Sequence, residues 1–219
     1  MRLLATDLPP LPRTLPNDRS VALLLRHAER PPIAPGELGA ELPLTPRGVA
    51  LASALGRCLG AALHGIHTSP VRRCRETAEA LRQGAGASAL QILDDRMLGD
   101  PGAFVTDPAR AWEHWRERGN ERVVELLAWG SEPLPGLDTP HSAAQDLATH
   151  VLANTESGIH VFVTHDAILL PTVARLLPGV ADRTWWPNFL ECAAFWYDGD
   201  VPCVAYRALI APLSPRKCS

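Results

Sequence analysis

The chain has 219 residues, 46% hydrophobic and 21% charged, with a net charge of −3. That length can bury one substantial core, and the mild acidity gives no basis for a nucleic-acid partner or an anionic membrane surface. No segment approaches the ~20 uninterrupted apolar residues of a membrane-spanning helix.

Lys217 is the only lysine, so anion binding falls to arginine. Cys58, Cys74, Cys192, Cys203 and Cys218 are odd in number and dispersed, without a C-x-x-C pair. That pattern fits reduced thiols better than a disulfide framework or a zinc site. The lead-in "MRLLATDLPPLPRTLPNDRS" is broken by prolines and lacks the apolar core of a secretory signal. The expectation is a cytoplasmic monomer or small homo-oligomer with no cofactor and no metal.

"VALLL" (21–25) reads as a short strand, apolar on both faces. A helix is predicted over 44–63, with Thr45 as N-cap, Pro46 at the first helical position, and Val49, Leu55, Cys58 and Leu59 on one face. "GIHTS" (65–69) is a second strand, and Ser69-Pro70 repeats the cap-plus-proline start ahead of a second helix. "ALQIL" (89–93) is a third strand. Residues 99–140 carry several Pro and Gly, three tryptophans and helical patches around 107–130, and read as an insertion or lid over one end of a sheet. A helix over 140–153, a strand over 158–164 and a helix over 167–177, with Pro171 in or bending it, follow. The stretches 192–198 and 204–209 alternate as strands, candidate antiparallel partners. Strands alternating with helices imply a single α/β domain spanning 1–219, a three-layer sandwich with a mostly parallel central sheet. Ligands bind such sheets beyond the strands' carboxyl ends. Three of these strands end in Arg26-His27, His67-Thr68-Ser69 and Thr164-His165-Asp166.

In "RHAERPP" two arginines, Arg26 and Arg30, flank His27, and Glu29 can neutralise only one of them. The plain alternative is a salt-bridged surface turn. The cationic setting favours a neutral imidazole, as a nitrogen nucleophile requires, and guanidinium forks match phosphate oxygens. In "SPVRRCRETA", Arg72 and Arg75 face Glu76 and Glu79 at i,i+4. Arg73 has Thr77 there and is the arginine least explained by surface pairing. In "VTHDA", Asp166 either caps the next helix or serves as an acid beside His165.

These motifs resemble the histidine phosphatase (phosphoglycerate mutase-like) superfamily. "RHAERPP" is similar to the R-H-G-x-R-x-P signature of histidine acid phosphatases, with Ala28 where glycine is usual, and "LTPRG", "SPVRRCRETA" and "THDA" follow in the family's order. The resemblance covers roughly 21–82 and 158–177 and implies a phosphoglycerate mutase-like fold. It implies a metal-independent phosphomonoesterase acting on a small phosphorylated substrate, with His27 as the nucleophile that becomes phosphohistidine. Arg26, Arg30, Arg73 and His165 would bind the phosphate. The mutase-like branch takes its acid from an L-x-E pattern, whose glutamate position is Gly99 here, beside Asp100. The acid phosphatase branch uses the aspartate of a His-Asp pair, which points to Asp166, with Asp100 as the alternative. That branch usually carries a larger helical domain and disulfides, which this chain lacks. A phosphomutase and a non-catalytic phosphate- or phosphoprotein-binding module are the competing readings.

His64, His114, His150 and His160 read as structural or exposed, while His67 and His141 could line the site. The tryptophans at 112, 115, 185, 186 and 196 read as packing.

Overall fold

The computed structural model describes residues 18–33 and 39–213. The expectations placed on the proline-rich lead-in, on Lys217 and on Cys218 lie outside the described residues, except that Asp18, Arg19 and Ser20 are seen. One seven-stranded sheet organises the chain, in the order β3-β2-β4-β1-β5-β6-β7. The strands are β1 (Val21–Arg26), β2 (Leu63–Thr68), β3 (Ile92–Asp94), β4 (Ile159–Thr164), β5 (Cys192–Asp198), β6 (Val201–Tyr206) and β7 (Leu209–Pro212). The first four run parallel, and β5 to β7 add an antiparallel meander at one side.

The helices are α1 (Pro46–Leu59), α2 (Arg72–Ala85), α3 (Pro108–Arg118), α4 (Asn120–Trp129), α5 (Pro140–Ala153) and α6 (Asp166–Leu176). They make the outer two layers because β1 and β4 are apolar on both faces. Successive side chains of a strand point to opposite faces. Val21, Leu23 and Leu25 of β1 pack with Leu51, Leu55, Ala78 and Leu81 of α1 and α2. Ala22 and Leu24 pack with Val124, Leu147 and Leu169 of α4, α5 and α6. A strand covered on both sides has no polar face, which is why its sequence reads as a continuous apolar run.

Thr45 caps α1 by accepting from the Gly48 N–H, and Pro46 sits at the helix start. The apolar face of α1 differs from the expected one: Leu51, Ala52, Leu55 and Leu59 are buried, whereas Val49 and Cys58 are exposed. The Ser69 cap expected for α2 is not formed. Val71 holds the N-cap position without a side-chain bond, because the Ser69 hydroxyl is turned toward His165. The third strand is shorter and later than predicted, at Ile92–Asp94. Pro171 lies inside α6. The last predicted strand divides into β6 and β7, with Arg207 at φ 55 between them. Arg72 pairs with Glu76 as expected, but Arg75 pairs with Asp94, leaving Glu79 to Arg82. Cys58, Cys74, Cys192 and Cys203 are free thiols. Among the described residues no helix is long and apolar enough to cross a membrane.

Candidate active site

Register brings the motifs together. Arg26 stands beside Thr164 across β1 and β4, and Thr68 beside Val163 across β2 and β4. The ladder continues past the strand ends, with His27 N–H donating to the Thr164 carbonyl at 2.8 Å and Ser69 N–H to Val163 at 2.9 Å. Three carboxyl ends therefore deliver His27, Ser69 and His165 to one edge of the sheet.

His27 is 2% exposed. Its Nδ1 lies 2.8 Å from the Ala28 carbonyl, and its Nε2 lies 3.1 Å from Arg73 Nε. A carbonyl only accepts and a guanidinium only donates. Nδ1 is therefore protonated, and the Nε2 lone pair faces Arg73 and the cavity. Burial, then His165 and Arg73, push the His27 pKa well below its ordinary 6.5.

His165 is oriented the same way. Its Nδ1 accepts from Arg73 Nη2 at 3.0 Å, and its Nε2 donates to Ser69 Oγ at 3.0 Å. Burial, reinforced by Arg73, lowers its pKa and keeps it neutral. The two rings meet edge to face, 5.5 Å between centroids. One guanidinium, Arg73, thus bridges the two imidazoles and also donates to the Gly39 carbonyl.

Arg26 is 8% exposed. It donates to the Pro187 carbonyl at 2.6 Å, pairs with Asp166 Oδ2 at 2.8 Å and lies over the Phe189 ring at 4.4 Å. Arg30 donates to the Pro31 carbonyl. The Nε atoms of both Arg26 and Arg30 are buried without a partner. Orphan buried N–H groups are uncommon and costly. Burial depresses the pKa of Arg26, Arg30 and Arg73 alike. Three guanidinium groups crowded at one partly dry site, with donors to spare, form an anion-shaped environment.

Asp166 opens α6. Its Oδ1 accepts from the Ala167 N–H, and its Oδ2 takes Arg26 and the Trp186 indole N–H. It lines the same cavity as His27, Arg30, Arg73 and His165. Asp100 also lines that cavity, but its side chain is 64% exposed and its nearest ionic partner is Arg96, at 3.9 Å. The glutamate position of the mutase-like pattern is closed: Gly99 has φ 149, and a Cβ there would lie 2.7 Å from the His165 ring and from Ser69 Oγ.

The "LTPRG" motif braces this arrangement. Thr45 N–H and hydroxyl bind the Glu29 carbonyl and carboxylate, and Arg47 pairs with Glu29 at 2.7 Å. A Cβ on Gly48 would come within 2.3 Å of the Glu29 carbonyl oxygen, so only glycine allows α1 to approach so closely. Glu29 therefore serves Arg47 and neutralises neither arginine beside His27, contrary to the salt-bridged surface turn. Thr77 answers for the position opposite Arg73: its hydroxyl accepts from the Ala28 N–H and donates to the Arg73 carbonyl.

Several participants carry no motif that reveals them. Pro187, Phe189 and Trp186 reach the site from the loop 182–191, which is locked by Glu191 accepting from Arg207 and Asn188. Trp186 was expected only to pack; it donates to Asp166. Trp112 and Trp115, likewise expected to pack, line the cavity. His67 and His141 do not line it. His67 stacks on Phe162, 4.5 Å between centroids, and His141 faces the Arg175 carbonyl.

The model of the histidine phosphatase superfamily (branch 1) matches residues 22–196. No curated protein matches the chain in sequence. Among solved structures, a phosphoglycerate mutase from Bacillus anthracis str. Sterne superposes with a TM-score of 0.53 at 17% identity, covering 90% of this chain and 92% of its own. A phosphoserine phosphatase mutant from Entamoeba histolytica, in complex with phosphoserine, gives 0.54 at 17%, covering 89% and 95%. A mycobacterial glucosyl-3-phosphoglycerate phosphatase with inorganic phosphate gives 0.52 at 18%, covering 80% and 89%. At such identities the likeness is one of fold. With the family model spanning most of the chain and its motifs gathered at one sheet edge, the chain belongs to the histidine phosphatase superfamily.

Proposed function

We propose that this chain is a phosphomonoesterase working through a phosphohistidine on His27. The observation that carries the reading is an unprotonated His27 Nε2 sharing one cavity with Arg30, Arg73, His165 and Asp166, with Arg26 paired to Asp166 beside it. Phosphoryl transfer asks mainly for positioning and for positive charge around the equatorial oxygens. Arg26, Arg30 and Arg73 supply that charge, so the reading calls for no metal.

In the proposed cycle the phosphate enters between Arg73 and the two imidazoles, taking over the donors that Arg73 spends on them. Its negative charge offsets the arginines that hold His165 neutral, so His165 gains a proton at Nδ1 and donates to a phosphate oxygen. His27 Nε2 attacks phosphorus as the ester P–O bond breaks. Asp166, as the carboxylic acid, gives its proton to the leaving oxygen. Water then attacks the phosphohistidine: the P–N bond breaks, the pair returns to Nε2, and the water proton goes to Asp166. The products are the alcohol and inorganic phosphate.

The test is transfer from a radiolabelled aryl phosphate in the presence of chelator, with wild type and His27→Ala. Expected are phosphate release and a base-stable, acid-labile label in wild type, and neither in the variant. A wild type that neither turns over nor takes label refutes the enzyme. A label that moves to an added alcohol or second phosphoester in preference to water makes it a mutase.

A further inference from the structure

Beyond its phosphate end the cavity changes character. Its volume is about 360 Å³, at the small end of the roughly 300–1,000 Å³ of small-molecule sites. Past the arginines and imidazoles the walls are Val71, Phe104, Val105, Ala111, Trp115 and Ile168, with Trp112 at the mouth. Five of these seven, Trp112 among them, come from the segment 99–129. Among the described residues, the polar side chains of this outer part are Asp100 and Asn120, and the Asn120 amide oxygen already accepts from the Trp115 indole. All of the lining arginines stand at the phosphate end.

A sugar or glyceryl group in this outer part would leave its hydroxyls facing carbon, losing hydrogen bonds to water without replacement. A carboxylate there would meet no cation of its own and would lie near Asp100. An apolar group gains from leaving water, and indole and phenyl walls suit a flat ring. We infer that the substrate is the monophosphate ester of an apolar alcohol or phenol of about one ring or six carbons, its organic part held by Phe104, Val105, Trp112 and Trp115. The inference rests on the phosphomonoesterase reading for the placement of the phosphate.

Non-hydrolysable phosphonates separate the two ideas, because their binding does not depend on turnover. Calorimetric affinities of wild type for methyl-, butyl-, hexyl- and benzylphosphonate, and for phosphonoacetate, are the measurement. Each added methylene is expected to tighten binding about two- to fourfold, with benzylphosphonate bound at least about 30-fold more tightly than methylphosphonate and phosphonoacetate the weakest. A flat series, or a preference for phosphonoacetate, overturns the inference. In the parallel turnover arm, kcat/KM for benzyl phosphate is expected to exceed that for glycerol 3-phosphate. The reverse order overturns the inference and leaves the phosphatase standing. Graded phosphonate binding with no ester turned over supports the apolar site and refutes the phosphatase.

Trp112 is 41% exposed, so Trp112→Glu alters the mouth without disturbing the core, and Val105→Thr exchanges a methyl for a hydroxyl at constant shape. Each is expected to shrink the benzyl-to-methyl affinity ratio by about fivefold or more. An unchanged ratio in both variants overturns the assignment of the wall.

Discussion

Gly99 lies against His165 so closely that a Cβ on residue 99 would meet the ring carbon Cδ2 and nitrogen Nε2 at 2.7 Å. The same Cβ would lie 2.7 Å from Ser69 Oγ, the acceptor that fixes the tautomer of His165. Backbone strain adds to this, because φ 149 and ψ 156 belong to a region essentially reserved for glycine. Gly99→Ala is therefore expected to lose about 1–3 kcal/mol of stability and to lower kcat/KM at least about tenfold. Denaturant unfolding and steady-state kinetics check the two effects. Gly99→Glu, which restores the mutase-like residue type, is expected to be worse than alanine, since its Cβ meets the same atoms.

The acid is decided by comparing Asp166→Asn with Asp100→Asn on a poor and a good leaving group. Asp166 is held at the phosphate end by Arg26 and the Trp186 indole, whereas Asp100 is largely in solvent beside Arg96. An amide retains an oxygen for Arg26 but has no proton to give a departing alkoxide. Asp166→Asn is expected to lower kcat on an alkyl phosphate by about 10²–10⁴ and much less on an aryl phosphate whose phenolate leaves unaided. Asp100→Asn is expected to lie within about threefold of wild type on both. An Asp166→Asn variant with full activity on the alkyl ester removes Asp166 from the role.

The parallel part of the fold and the gathering of His27, Arg73 and His165 were legible in the sequence because His27 and His165 directly follow apolar strands and Arg73 opens the helix after β2. Both-face apolar runs report burial between layers, and the polar residues after them report the ligand edge. Arg73 stood out because Thr77 could not neutralise it, and in the fold Thr77 braces the Ala28 backbone instead. Other assignments failed where a distant partner outbid a near one. Ser69 suits a helix cap, but His165, 96 residues away, takes its hydroxyl. Arg75 had Glu79 one turn on, yet Asp94 at the end of β3 takes it. The loop 182–191 has no periodicity to read, and its contribution to Arg26 depends on Arg207, in the turn after β6, holding it through Glu191 and through the Thr184 and Trp186 carbonyls. From sequence the tryptophans read as packing, because an apolar cavity wall and a core have the same composition.

The acid limb of the pH profile follows from His27. Burial and the neighbouring His165 and Arg73 push its pKa well below 6.5. The neutral, nucleophilic form thus remains dominant as pH falls through 6.5, and is lost only at distinctly more acid pH. In the free enzyme, kcat/KM corrected for substrate ionisation reports this group. The expectation is no loss of kcat/KM with a midpoint near 6.5 on the acid side. Arg73→Gln removes one of the charges holding the pKa down, so an acid limb, where visible, is expected to move upward. A wild-type midpoint at 6.5 contradicts the neutral, charge-crowded imidazole.

Outside the cavity, His150 and Asp95 form a partly buried pair, Nε2 to Oδ2 at 2.6 Å. Asp95 also accepts the Met97 N–H through Oδ1 and so starts the turn that leads to Gly99. The hydrogen bond to Asp95 raises the His150 pKa above 6.5 despite burial. Burial pushes Asp95 upward, but His150, the Met97 N–H and His67 together outweigh it and leave the carboxyl below its ordinary 3.8. His67 faces the same carboxylate, and burial holds its pKa down. Because His150 is raised, its contribution is fully present below the unfolded value near 6.5 and disappears as pH rises through the folded value. Because Asp95 is lowered, its contribution is present above about 3.8 and disappears as pH falls through its folded value. The pair therefore stabilises most between those limits, by about 1 kcal/mol for a charge-assisted bond partly open to water. Unfolding free energies of wild type and His150→Gln, measured from pH 5 to pH 9, are expected to differ by that amount near pH 5.5 and to converge at alkaline pH. A difference that is constant, or that grows with pH, would show that His150 stabilises the Asp95 turn by packing and not by its charge.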